Sequence, residues 1–146
     1  MKLHKLIPGL VMALCLTACA SETTTHDATQ LPQKARDLIA QNFNSAISLV
    51  EIEKSMGSVS EYEVTLTDGC EISFKGDGEW KSIETPPTMA VPEGLVPTNI
   101  AKYVAEKHAG AFIDGIEKNK HGFEIELSNN IEIQFDSAGN FLKYDK

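Results

Sequence analysis

The chain has 146 residues, 42% hydrophobic and 23% charged, which is one domain's worth of ordinary globular composition and excludes a disordered, collagenous or polytopic membrane protein. Its 13 Lys and Arg stand against 21 Asp and Glu, a formal charge of -8, so a nucleic-acid partner held through phosphates is not expected. Three cysteines do not make a disulfide framework.

The amino terminus reads as an address. Lys2 and Lys5 precede an apolar run from Leu6 to Leu16, broken only by Pro8 and Gly9, which is the layout of a secretory signal. The run is too short to span a bilayer, which takes roughly 20 apolar residues. It ends in Leu16-Thr17-Ala18-Cys19, which resembles a bacterial lipobox. That resemblance implies a signal peptide over residues 1–19, acylation of Cys19, and a mature chain held to a membrane, since two or more acyl chains give stable anchoring. Ordinary cleavage after Ala18-Cys19-Ala20 also fits the small-x-small rule. Ala20 in place of Asp after the lipidated cysteine implies, by the same resemblance, the outer membrane. Residues 20–30 (ASETTTHDATQ) lack large apolar side chains and are expected to be a flexible tether, with His26 simply solvated.

The rest reads as one unit written twice, over residues 31–84 and 96–146. Tyr62–Ile83 aligns without gaps on Phe123–Tyr144, Leu31-Pro32 on Val96-Pro97, and Ile52-Glu53-Lys54 on Ile116-Glu117-Lys118. Each unit opens with a helix whose first turn begins at Pro32 or Pro97 and whose apolar residues recur at helical spacing. Asn44 and Gly110 are the expected left-handed stops. First strands are expected at Leu49–Glu53 and Gly115–Lys118. Next, Tyr62–Thr67 and Phe123–Ser128 alternate, with Tyr62, Val64, Leu66 and Phe123, Ile125, Leu127 facing inward. Asp68-Gly69 and Asn129-Asn130 are expected to be two-residue type I′ turns. The chain returns through Cys70, Ile72, Phe74 and Ile131, Ile133, Phe135, turns at Gly76-Asp77-Gly78 and Ser137-Ala138-Gly139, and ends each unit on strands holding Trp80, Ile83 and Phe141, Tyr144. The fold class expected is α+β, a tandem αββββ repeat with an antiparallel meander and a helix on one face. Residues 85–95, with three prolines nearby, form the stiff connector. Units of about 50 residues are small for independent stability, so the two sheets are expected to join.

No catalytic constellation is present: the chain lacks G-x-S-x-G, H-E-x-x-H, C-x-x-C and phosphate-binding glycine motifs. Cys70 takes the inward place of Ile131 and reads as a small buried hydrophobe. His108 falls where the first unit has Phe43 and reads as a partly buried helix residue; His121 sits in a turn. The histidines are scattered, so neither a metal site nor a cofactor is expected.

The face turned away from the core carries the functional expectation. Glu63, Thr65, Thr67, Glu71 and Ser73 in the first unit, and Glu124, Glu126, Ser128, Glu132 and Gln134 in the second, point outward on an acidic, hydroxyl-rich sheet face. Such a face is either merely solvated or a surface for a basic partner that loses affinity as salt rises. Asp68, Gly69, Asn129 and Asn130 lie at its rim.

The repeated L-P-x-x-A…F-x-x-A, the Y-E-V-x-L-x-D-G-x-E-I-x-F and the final G-x-W, in Leu31–Trp80 and echoed in Val96–Phe141, resemble the PepSY-like family of small secreted bacterial proteins, also labelled beta-lactamase-inhibitor-like. The second unit departs from the family's pattern at Asn129-Asn130 and at His108. The resemblance implies a fold similar to beta-lactamase inhibitory protein, with a joined sheet. It also implies that Asp68 matches the hairpin residue that enters the enzyme in that inhibitor. The function expected is therefore a non-enzymatic, membrane-tethered envelope module that binds a protein or small molecule through its acidic face. The alternative is an inhibitor of a periplasmic peptidase or hydrolase acting through Asp68 and Gly69.

Overall fold

The computed structural model describes residues 20–145; the expected leader and its lipidation site at Cys19 lie outside the described residues. Two helices and nine strands follow in the order β1 α1 β2 β3 β4 β5 α2 β6 β7 β8 β9, with short 3-10 turns before each helix. The class is α+β. All nine strands form one antiparallel sheet in sequential order.

The segment read as a tether begins as a strand. β1 (Ala20–Thr25) pairs with β2 (Ile47–Ser55), setting Thr23 against Ile52 and Thr25 against Val50. Three consecutive threonines favour extended backbone, and the open edge of β2 supplies the hydrogen bonds that a polar segment could not supply alone. Asp27 then caps a 3-10 turn over Ala28–Gln30, accepting from the Thr29 N–H at 2.9 Å. His26 is exposed, as expected, and its Nδ1 also donates to the Ser48 carbonyl at 2.6 Å.

α1 (Gln33–Asn42) and α2 (Thr98–Lys107) each start one residue after their proline, so Pro32 and Pro97 are cap residues and not first-turn residues. Their carbonyls accept the first helical N–H groups, from Ala35 and Arg36 and from Ile100 and Ala101. Gly110 has the expected left-handed backbone, φ +88. Asn44 does not, because α1 ends instead through Phe43 in extended conformation, φ -126.

β3 (Ser58–Leu66), β4 (Glu71–Lys75) and β5 (Trp80–Glu84) complete the first half of the sheet; β6 (Ile113–Asn119), β7 (Gly122–Leu127), β8 (Glu132–Asp136) and β9 (Phe141–Asp145) form the second. Both expected first strands run longer than their apolar residues indicated. β5 and β6 pair with Ile83 opposite Ile116, so the halves share one ladder. One core runs beneath the sheet: Ala35, Ile39, Ile100 and Val104 from the helices meet Val64, Ile72, Phe74, Ile83, Ile125, Ile133 and Phe135, all buried. The connector contributes Val91, 4% exposed, whose N–H donates to the Ile113 carbonyl.

The hairpin turns expected to be type I′ are of another kind. In Leu66–Cys70 and Leu127–Ile131 the third loop residue alone is left-handed, Gly69 at φ +90 and Asn130 at φ +63, closed by N–H donation from Gly69 to Leu66 and from Asn130 to Leu127. This is a type I turn followed by a bulge residue in αL. Only one residue needs positive φ, and asparagine tolerates it, so Asn-Asn serves as well as Asp-Gly. The two-residue turn with both φ positive is at Met56-Gly57, φ +53 and +82.

Candidate functional site

The outward face is built by register. Directly opposed residues of an antiparallel pair share a face and sit close enough to interact. Carboxylates oppose carboxylates at seven such places: Glu22 with Glu53, Glu51 with Glu63, Glu53 with Glu61, Glu71 with Glu84, Glu117 with Glu124, Glu126 with Glu132, and Glu132 with Asp145. The acidic surface therefore runs the full width of the sheet, from β1 to β9.

Of the residues expected there, Glu63, Thr65, Glu71, Glu124, Glu126, Glu132 and Gln134 lie on this face. Thr67 does not: β3 ends at Leu66, and Thr67 is a turn residue donating its N–H to the Ala46 carbonyl. Ser128 is likewise beyond β7, its hydroxyl accepting from the Phe112 N–H at 3.2 Å. Ser73 is on the face but only 5% exposed, a short side chain between longer ones. Glu22, Glu51, Glu53, Glu61, Glu84, Glu117 and Asp145 join the face unforeseen. They lie outside the two stretches of strict alternation, and strand order brings them onto the same surface.

Crowding alters their chemistry. Glu84 is half-buried, and desolvation, followed by the charges of Glu71, Glu126, Glu117 and Glu63, pushes its carboxyl up to about 7. Glu63 and Glu51 are raised in the same direction, each first by desolvation and then by acidic neighbours. Part of the charge is answered locally. Lys81 donates to both oxygens of Glu61 at 3.0 and 2.9 Å, and the Lys143 ammonium stands 3.7 Å from Asp145. Glu124, Glu132 and Asp145 bring one oxygen each within 4.8 Å of one another.

The rim turns are structurally engaged. Asp68 Oδ2 accepts from the Ser45 hydroxyl at 2.5 Å and Oδ1 from the Cys70 N–H at 3.0 Å; these bonds hold its carboxyl below the usual range. Gly69 and Asn130 hold the left-handed positions of the two loops, and Asn129 is the turn residue before Asn130. Cys70 is buried at 0% exposure against Met89, and desolvation, then Asp68, pushes its thiol up to about 12. Such a thiol has almost no thiolate at neutral pH and is not a nucleophile. His108 ends α2 with its Nε2 3.1 Å from the Tyr144 hydroxyl. His121 is an exposed turn residue.

A family model described as "Putative beta-lactamase-inhibitor-like, PepSY-like" matches residues 60–143. Three solved structures have the same fold. A "putative periplasmic protein of unknown function" from Bacteroides vulgatus is 34% identical, with a TM-score of 0.81, over 86% of this chain and 100% of that one. A second "putative periplasmic protein" of that organism is 31% identical with a TM-score of 0.77, over 86% and 98%. A "putative calcium-regulated periplasmic protein" from Bacteroides thetaiotaomicron is 31% identical with a TM-score of 0.78, over 86% and 97%. No curated protein matches the chain significantly.

Proposed function

Because this chain belongs to the PepSY-like family, we propose that it is a non-enzymatic module of the cell envelope whose acidic sheet face binds a positively charged partner, protein or small molecule. The observation that carries the reading is the set of seven opposed carboxylate pairs. Like charges directly opposite one another are destabilising, and a cationic ligand seated on the face recovers that cost. Binding of this kind is steered by charge and weakens with ionic strength. The reading is tested by capture from envelope extracts with the wild type and with a Glu63→Lys, Glu124→Lys double variant. Partners retained by the wild type should be lost from the variant and eluted by salt. Identical partner sets would remove the acidic face from the reading.

The wider picture follows the same line. The two α-β-β-β-β halves are copies of one unit, a reading supported by the matching registers of Phe74 with Trp80 and Phe135 with Phe141. Periplasmic relatives support export. If Cys19 carries acyl chains, β1 starts at the very next residue, so the anchor holds the sheet edge close to the membrane with no tether between. Mass spectrometry of the mature amino terminus reports this directly.

One observation favours a cation as the ligand itself. Glu124, Glu132 and Asp145 offer three carboxylate oxygens, the hard donors that calcium takes in sixes to eights with water completing the set. The Bacteroides thetaiotaomicron relative is described as calcium-regulated. Calorimetric titration of calcium into the wild type and Glu132→Gln should give a heat in the first that the second lacks. Absence of binding at millimolar calcium would remove this ligand. An inhibitor acting through Asp68 gains no such support, because that carboxylate is consumed within its own turn.

A further inference from the structure

The two edges of the sheet differ in kind. β1 presents Ala, Ser, Glu and Thr with no buried side chain, the polar finish that keeps an edge from pairing. β9 at the other edge exposes Phe141 by 39%, Leu142 by 51% and Tyr144 by 46%.

An internal comparison shows what such a strand lacks. β9 stands to β8 as β5 stands to β4. Phe141 opposes Phe135 as Trp80 opposes Phe74, Tyr144 opposes Ile133 as Ile83 opposes Ile72, and both ladders shift at the same step. The free side of β5 is covered by β6, which sets Ile116 beside Ile83 and Lys118 3.5 Å from the centre of the Trp80 ring. Trp80 and Ile83 are in consequence 8% and 0% exposed. Nothing among the described residues gives β9 that cover.

The β9 patch is also held ready. Tyr103 stacks on Phe141 with ring centres 5.1 Å apart, and the Tyr144 hydroxyl lies 3.1 Å from both the Tyr103 hydroxyl and His108 Nε2. Fixed aromatic side chains lose little freedom on docking.

We propose that two copies of this chain pair through β9, antiparallel about a two-fold axis at Tyr144, joining their sheets into one. The order Lys143-Tyr144-Asp145 is self-complementary in that register. Tyr144 meets its own copy on the core side, and on the outward side Lys143 meets Asp145 of the second copy, twice. An isologous contact of this kind closes as a dimer, the commonest symmetry. Pairing β9 with the polar β1 would instead leave the aromatic side chains facing threonines and would propagate without end.

The test uses the full chain exported in cells. Across the axis, opposed residues have Cα atoms about 4.5–5.5 Å apart, within disulfide range. Tyr144→Cys should therefore give a covalent dimer on non-reducing gels, and Ser21→Cys on the opposite edge should not. Adding K143D or D145K to the Tyr144→Cys chain should abolish the band. Co-expressing the two should restore a mixed dimer, because one chain then carries acids at both flanking positions and the other carries lysines at both, so every contact across the axis joins opposite charges. A folding defect would not be rescued by mixing. As a reporter that keeps Tyr144, carbodiimide treatment of mixed light and heavy isotope wild-type chains should yield a hybrid Lys143–Asp145 crosslink. Crosslinking no greater than the Ser21→Cys control together with no hybrid peptide overturns the proposal, as does crosslinking indifferent to the charge changes.

Discussion

Glu84 on β5 stands directly opposite Glu71 on β4, and its neighbour on the other side is Gly115 of β6. Gly115 leaves room but supplies no cation. A Cβ there would lie 3.1 Å from Glu126 Cβ, so another acidic side chain fills the adjoining space. This arrangement at the middle of the sheet is what raises the Glu84 carboxyl.

The first prediction follows from its raised value of about 7. The folded chain holds this proton where the unfolded chain, near the ordinary 4.5, has released it. Stability is therefore greatest on the acid side of that window and falls as pH rises through about 7. Glu63 and Glu51 add the same sign. Asp68, whose carboxyl is lowered, adds the opposite sign below the ordinary aspartate range, so the optimum lies in mildly acidic solution. Glu84→Gln should raise the melting temperature at pH 8 by roughly 3–5 °C, on the order of 1 kcal/mol after solvent screening, and change little at pH 5. Thermal melts across pH 4–9 report it, and an equal effect at both ends would contradict the assignment.

Cys70 supplies the second. With its thiol raised to about 12 by burial, the thiolate fraction at pH 8 is about one in ten thousand, and alkylation requires the thiolate. Iodoacetamide at pH 8 should leave Cys70 of the folded chain unmodified and label it fully in denaturant. Cys70→Ala should cost about 1–2 kcal/mol through the cavity beside Met89, with partner capture unchanged.

What is legible in the sequence and what is not divide along a physical line. Inward faces such as Tyr62, Val64, Leu66 and Ile125, Leu127 are visible because alternation is a local consequence of burying one side of a strand. β1 is not, because Thr23 and Thr25 bury nothing large, and their order comes from the edge of β2 some thirty residues away. Turn geometry is ambiguous because Asp-Gly satisfies either a type I′ turn or a type I turn with an αL residue, and the choice depends on which residues close the ladder. The acidic face is half legible. Glu63 and Glu124 follow from alternation, whereas Glu84, opposite Gly115, and Glu117, opposite Ser82, come onto one surface through the β5–β6 junction, a strand pairing that no local pattern encodes.

A third prediction concerns the bond between Ser45 and Asp68. Removing the carboxylate in Asp68→Ala loses acceptors for the Ser45 hydroxyl and the Cys70 N–H, each worth roughly 0.5–1.5 kcal/mol. The urea midpoint should fall at pH 7. Because the lowered carboxyl stabilises the fold only while ionised, the gap between variant and wild type should narrow as pH falls through the ordinary aspartate range. A gap that is constant with pH would mean that packing, not the charge, holds the turn.

The last prediction separates two reasons for a glycine. Gly57 and Gly122 both have positive φ, +82 and +143. A Cβ on Gly57 meets nothing within 4 Å, whereas one on Gly122 falls 2.2 Å from the Phe135 carbonyl oxygen and 2.3 Å from the Asp136 carbonyl carbon. Gly57→Ala therefore carries the conformational penalty alone, about 1–2 kcal/mol. Gly122→Ala adds a clash with the backbone of the strand it pairs with, where Gly122 opposes Asp136, and no rotamer relieves it. The cost should exceed about 4 kcal/mol, in the range kept for a few mechanisms of this kind. Chemical denaturation of the two variants side by side measures the difference, and equal losses would show that the β7–β8 ladder yields where this geometry holds it rigid. Hydrogen exchange would localise the damage: protection should fall first along β7 and β8, beneath Glu124 and Gln134, and persist in β3 and β4.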